Sequence, residues 1–230
     1  FNVGYNEVFS PYSNPSSITW NNTPSNIFVY LESMNGTEAT LKIYKVGENN
    51  MTEAQILQLT PPSRPMGIKI NFTECVDFQQ YPVITWNHNK EPDMLQGANN
   101  AYKRYKIYRA TSDINNVPGN FQEIADLLIS KDDLPSYTDY TTIASCEEGG
   151  SYANIYRLRY RVKAVDNTGW ASVFSDFVSA MTGKFPSQDG EGDAIKGPMN
   201  NDNITPIYYQ LSQNYPNPFN PVTKINFSIQ

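Results

Sequence analysis

His88 is the only histidine in the 230 residues, and it follows Trp86 in a polar segment. One imidazole cannot supply H-E-x-x-H or any other His-based zinc site. G-x-S-x-G, the elbow on which Ser-His-Asp hydrolases present their nucleophile, does not occur. Catalysis is therefore not expected of these residues, and no cofactor is implied. Glu91 and Asp93 flank Pro92 and could form a carboxylate pair, or ligate calcium with the carbonyls of Gly97 and Asn99. Calcium takes about 6–8 oxygens, so two acids favour the plainer reading of solvated loop charges. Asp189, Glu191 and Asp193 alternate with glycines, but an EF-hand loop needs a bidentate Glu at its twelfth position, where counting from Asp189 gives Asn200. A polar linker is the better account there. Arg157, Arg159, Arg161 and Lys163 alternate strictly with Tyr156, Leu158, Tyr160, Val162 and Ala164, which is a strand with one dry face and one cationic face. Cys75 and Cys146 are too few for a zinc ribbon and lack C-x-x-C spacing. A single disulfide in an oxidising extracellular setting and two unpaired buried thiols both fit that count.

The elements that position these groups read as strands. Aromatic residues make up 13% of the chain, with 16 Tyr, against 17% charged residues, and aromatic rings suit a pleated surface. The net charge of -6 argues against a nucleic-acid partner. No window is apolar for long enough to span a bilayer, so no transmembrane segment is expected. Residues 1–60 carry two short alternating runs, 27–33 and 39–44, around Asn35-Gly36, which is a hairpin signal. A hairpin cannot cover both of its faces, so this region is expected to be the end of a preceding β-rich domain. Pro61-Pro62-Ser63-Arg64-Pro65 marks a boundary. Seven strand signals follow, at 67–72, 81–87, 102–110, 121–127, 136–140, 155–165 and 172–181. That count and spacing predict a seven-stranded sandwich. Residues 184–207 lack apolar periodicity and read as a flexible linker.

The proline opening at 61–65, Trp86 on the second strand, Tyr105-Lys106-Ile107-Tyr108-Arg109 on the third, and Tyr160-Arg161-Val162-Lys163-Ala164-Val165-Asp166 followed by Gly169 and Ser175 together resemble a fibronectin type III domain over residues 61–183. The long connections 87–101 and 140–154 depart from that family. The resemblance implies that the third and sixth strands pair, setting Arg104 and Lys106 beside Arg157, Arg159, Arg161 and Lys163 with Tyr108 between them. Such a stripe could attract sulfated or uronic polysaccharides or an acidic protein domain. Neutralisation by Glu123, Asp126 and Asp176 as a laced, solvated sheet face is the more ordinary expectation. The family topology also gathers the loops that hold Cys75 and Cys146 at one pole. A disulfide there would contribute about 4 kcal/mol in the chain-entropy model.

Near the end, Gln213-Asn214-Tyr215-Pro216-Asn217-Pro218-Phe219-Asn220-Pro221-Val222-Thr223 places three prolines in an extended run, followed by the alternation Ile225, Phe227, Ile229. This resembles the opening of the C-terminal sorting domain of the type IX secretion system of Bacteroidetes-like bacteria. It implies export across the outer membrane, a secreted or cell-surface location, and the secretion machinery as a partner. Residues 208–230 would be a truncated start of that domain. The short phrase from Phe9 to Ser17 resembles the tail of the catalytic region of immune-inhibitor-A-like zinc metallopeptidases. The expected fold is all-β: a fibronectin-type-III-like sandwich flanked by a partial β-rich N-terminal segment and the start of a second sandwich. The expected role is a non-catalytic spacer or interaction module of a larger exported protein. Its competitors are the accessory region of a secreted zinc metallopeptidase and a polysaccharide-binding module.

Overall fold

The computed structural model describes residues 8–13, 16–19, 21–35, 38–113, 119–146, 156–182, 210–211, 215–220, 222–224 and 227–228. The chain divides into two compact units, Phe1–Ile195 and Lys196–Gln230. The fold is all-β. Among the described residues, no helix is long and apolar enough to cross a membrane.

The first unit opens with a three-stranded antiparallel sheet, β1 (Val8–Phe9), β2 (Ile27–Asn35) and β3 (Glu38–Lys45), with β2 in the middle. The predicted hairpin is β2–β3. One face of this sheet buries Phe28 against a short helix, α1 (Glu53–Leu57), through Ile56 and Leu57. The helix is absent from the sequence reading of 1–60. Its signature is local: the Thr52 hydroxyl accepts from the Gln55 N–H while the Thr52 N–H donates to Gln55 Oε1, a capping box in T-x-x-Q. A helix of five residues is too brief to register as a 3.6-residue period. On the opposite face Phe9, Val29 and Ile43 form one cross-strand row. Leu41 and Ile43 there are 53% and 67% exposed.

The seven expected strands follow as β4 (Lys69–Phe72), β6 (Pro82–Thr85), β8 (Tyr102–Asp113), β9 (Gln122–Ser130), β10 (Ser136–Thr138), β12 (Tyr156–Val165) and β13 (Val178–Met181). Two-residue strands β5 (Gln79–Gln80), β7 (Leu95–Gln96) and β11 (Ala144–Ser145) lie between them. One sheet runs β4-β6-β10 and the other β9-β8-β12-β13, with β7 extending the β8 edge and β5 pairing with β11. Both sheets feed one core. Ile84 and Trp86 come from the first, and Tyr105, Ile107, Leu158, Tyr160, Val162 and Ala164 from the second. The Trp86 and Tyr105 rings meet edge to face at 5.3 Å between centroids, a geometry favoured by the ring quadrupoles. The dry side predicted for β12 is buried from Leu158 onward.

The last strand is shorter than predicted. Residues 172–177 form no regular strand: the N–H groups of Ser172 and Ser175 still donate to the carbonyls of Ala164 and Val162, but serine hydroxyls replace carbonyls as the acceptors for β12. Ser175 Oγ accepts from the Val162 N–H and Ser172 Oγ from the Ala164 N–H, both at 2.9 Å. This irregular run lays Phe174 and Phe177 over the outer face of β12, as described below.

At one end of the core, Asp139 is fully buried. Its Oδ2 accepts from Arg109 Nη1 at 2.6 Å and from the Tyr160 hydroxyl at 2.8 Å, and its Oδ1 from the Thr141 hydroxyl at 2.6 Å. Burial pushes this carboxyl up, but the hydroxyls of Thr141 and Tyr160 and the Arg109 guanidinium more than offset it, so it titrates below the ordinary carboxylate range. Tyr160→Phe removes one hydrogen bond to a buried charge and leaves the others. A loss of about 2 kcal/mol is expected by chemical denaturation, with an unchanged m-value.

In the second unit, β15 (Tyr215–Asn220) pairs antiparallel with β16 (Val222–Lys224), and β14 (Gln210–Leu211) with β17 (Phe227–Ser228).

Candidate functional site

The six predicted basic residues share the outer face of the β8–β12 pair, as the register requires. Lys106 stands opposite Lys163, Tyr108 opposite Arg161, Ala110 opposite Arg159 and Ser112 opposite Arg157, while Arg104 stands opposite Val165. They divide into two groups with different electrostatics. On β8 the charges are matched by β9. Arg104 donates to both oxygens of Asp126, at 2.9 and 2.7 Å, and Lys106 reaches Glu123 at 3.1 Å and Asp126 at 3.7 Å. The Tyr108 hydroxyl donates to Glu123 at 3.0 Å. The bidentate Arg104 contact holds the Asp126 carboxyl below its ordinary range. This half is the laced sheet face expected of an exposed strand.

On β12 the charges are not matched. Among the described residues, Arg157, Arg159, Arg161 and Lys163 have no carboxylate within ion-pair distance. The neighbours of Arg159, Arg161 and Lys163 are rings. The Arg159 guanidinium lies 4.5 Å from the Phe177 centroid, Arg161 lies 4.8 Å from Phe121, and the Lys163 ammonium lies 4.4 Å from Phe174. Arg161 also approaches Phe174 and Phe177, at 5.6 and 5.7 Å. Phe174 is braced edge-on by Tyr108 at 4.9 Å. These are cation–π distances. Asp176, expected to help neutralise the stripe, pairs instead with Arg64 at 3.4 Å. The rings were missed in the sequence because Phe174 and Phe177 are three residues apart, which breaks the alternation of a strand. The serines that cap the β12 amides are what aim them.

The carboxylates of the 87–101 connection are buried, which corrects the expectation of solvated loop charges. Glu91 is 3% and Asp93 7% exposed, with Asp166 at 1% nearby in the chain after β12. Glu91 Oε1 accepts from the Ser63 N–H at 2.7 Å and from its hydroxyl, so the proline boundary folds over this loop. Asp166 Oδ1 accepts from the Thr168 hydroxyl and from the N–H groups of Thr168 and Trp170. Gly169, at φ +91°, makes the turn. Both Asp93 oxygens, Glu91 Oε2 and Asp166 Oδ2 are buried without a hydrogen-bond partner. Burial, then the charge of Asp166, then that of Glu91 push the Asp93 carboxyl up to about 7. Among the described residues, no three His, Cys, Asp or Glu side chains group closely enough to hold a metal ion. His88 Nε2 faces the carbonyls of Ser130 and Asp133 at 3.1 and 2.9 Å, and Nδ1 faces the Tyr105 hydroxyl at 3.1 Å. With its proton on Nε2 the imidazole donates to the carbonyls and accepts from Tyr105, a bracing role between β8 and the turn after β9.

Cys75 and Cys146 are bonded to each other, with their Cα atoms 6.2 Å apart. The bond sits beside the β5–β11 ribbon, where the Cys146 N–H donates to the Phe78 carbonyl at 3.2 Å. Of the terminal run, Tyr215, Pro216, Asn217, Pro218, Phe219 and Asn220 form β15, and Thr223 lies in β16. Gln213, Asn214 and Pro221 lie outside the described residues, as do Asp189, Glu191, Asp193 and Asn200. A shallow depression between the ends of β8 and β12 is lined by Arg109, Thr141, Thr142 and Tyr156. Its guanidinium is already committed to Asp139, Thr141 and Thr142, so it offers a ligand no free charge.

No family model and no curated relative matches the chain. Among solved structures, the spore cortex lytic enzyme SleM of Clostridium perfringens aligns at 16% identity and a TM-score of 0.26, over 65% of this chain and 35% of that one. A beta-1,2-glucanase from Parabacteroides distasonis aligns at 17% identity and a TM-score of 0.27, over 80% of this chain and 26% of that one. The chain thus spans a minor part of each, and likenesses at this level carry no argument about activity.

Proposed function

We propose that this chain is a non-catalytic spacer and interaction module of an exported multidomain protein, a fibronectin-type-III-like sandwich carried ahead of a type IX sorting signal. The observation that carries the reading is the Pro-Asn run 213–221, whose stretch Tyr215–Asn220 is an extended strand paired with Val222–Lys224. Such a run can be gripped by export machinery as a rigid strand. Two features support the module. The strand order β4-β6-β10 against β9-β8-β12-β13 is the arrangement that the fibronectin resemblance implies for the pairing of its third and sixth strands. The exposed apolar residues Phe9, Leu41 and Ile43 on one face of the first sheet fit a surface covered by another part of the parent protein.

The test is export. In a host with a type IX system, replacing Pro216, Pro218 and Pro221 with alanine in the full-length parent protein should leave it in the periplasm, while the unaltered protein reaches the surface or medium. Equal export of both removes the sorting assignment. Turnover of peptide or glycan substrates by the 230-residue chain removes the non-catalytic one.

A further inference from the structure

We propose that the Arg157–Arg159–Arg161–Lys163 ladder with its Phe121, Phe174 and Phe177 rings is a binding face for a linear acidic polysaccharide bearing carboxylate groups. The inference deepens the exported-module reading and rests on it for the setting in which such a polymer is met.

The chain carries a net charge of -6, yet four cations stand in one row without a carboxylate partner among the described residues, while the adjacent row on β8 is matched by Glu123 and Asp126. If the row served only to keep the strand from pairing wrongly, the same carboxylate lacing would suit it. Instead, Lys163 is set directly opposite Lys106, whose charge already engages Glu123 and Asp126, so the carboxylates of β9 serve the β8 row and the Lys163 ammonium remains for an external anion. The Nε atoms of Arg157, Arg159 and Arg161 are buried without an acceptor, so the stems are held against the sheet. The rings brace the guanidinium groups of Arg159 and Arg161, which reduces the entropy lost when a ligand docks.

Geometry then selects the ligand. Alternate residues of a strand project at a repeat of about 6.8 Å, so the ladder carries its cations in one row along the strand. That suits a polymer with a charge on each unit and not a single phosphate. An acidic peptide adding as a strand is disfavoured because β12 has no free edge: β8 covers one side, and β13 with the Ser172 and Ser175 hydroxyls covers the other. Without backbone hydrogen bonds, strand addition loses its main source of affinity.

The probes are polygalacturonate, neutral dextran as a control, and single-stranded DNA, titrated against the 230-residue chain with its disulfide intact. Polygalacturonate should bind with an affinity that falls as salt rises, and dextran should not bind. Arg159→Gln/Arg161→Gln/Lys163→Gln should weaken polygalacturonate binding by about tenfold or more, and Arg104→Gln/Lys106→Gln should change it by less than about twofold. Should the triple variant unfold, Lys163→Gln alone should still weaken binding about threefold. Absence of polygalacturonate binding, an equal loss in both variant sets, or DNA bound as tightly as polygalacturonate each overturns the proposal. Binding is read on purified protein, so its outcome is independent of whether the sorting run directs export.

Discussion

Replacing Cys75 and Cys146 with alanine should lower the stability of the first unit by about 4 kcal/mol, read as a fall in the denaturant midpoint. The half-cystines are 71 residues apart in sequence, and the intervening chain contains β6, β8, β9 and β10. Tying its ends removes conformations from the unfolded chain, and the chain-entropy model gives about 4 kcal/mol for a loop of this length. Little in the folded state makes up for its loss. The β5–β11 ribbon is two residues on each side, and Val76 and Phe78 beside it are 65% and 64% exposed. For a chain of this size the loss corresponds to a fall in Tm of roughly 8–16 °C. The far-ultraviolet spectrum at low temperature should not change, because the core around Trp86 is built by other elements. A loss below about 1 kcal/mol would show that the unlinked unfolded chain keeps these segments together, leaving the crosslink no entropy to remove.

Legibility in the sequence followed from how each element is stabilised. The strand β12 was readable to within a residue because its alternation is strict and its inner face is buried from Leu158 onward. The split of the basic stripe was not. Arg104 and Arg161 look alike in sequence, and what separates them is that β9 brings Asp126 to one while the serine-capped run 172–177 brings rings to the other. That run broke the strand pattern for a reason invisible to periodicity, since a side-chain hydroxyl can replace a backbone partner. The buried acids were missed for a similar reason. Glu91 and Asp93 flank a proline in a polar segment, which reads as surface, and the folding of Ser63 across Glu91 is a long-range contact that no local pattern announces.

That enclosure makes the first unit respond to pH in an unusual direction. An aspartate in an unfolded chain titrates near 3.9, while Asp93 is pushed up to about 7 by burial, Asp166 and Glu91. The native state therefore holds this proton more tightly than the unfolded state. Its contribution is fully present below about pH 4 and is lost as pH rises through about 7. The groups around it fix what else titrates. Tyr12, bonded through its hydroxyl to Glu53, is driven upward by burial, by Glu53 and by Glu91 and Asp93 themselves. His88 is driven downward by burial and Lys103, so its contribution has the opposite slope and is lost as pH falls from its ordinary value of about 6.5. The difference between the wild type and Asp93→Asn cancels such background terms. The gap should be smallest at the acid end and already open by roughly 1–2 kcal/mol at pH 5, because the native Asp93 is still neutral there while the unfolded one is mostly ionised. At pH 8 the variant should be the more stable by roughly 2–4 kcal/mol, because it avoids a buried carboxylate without a partner. Urea titrations of both proteins at half-unit steps from pH 4.5 to 8.5 measure this directly. A difference that stays flat across that range would place the Asp93 pKa near its unfolded value and remove the enclosed acid as a determinant of stability.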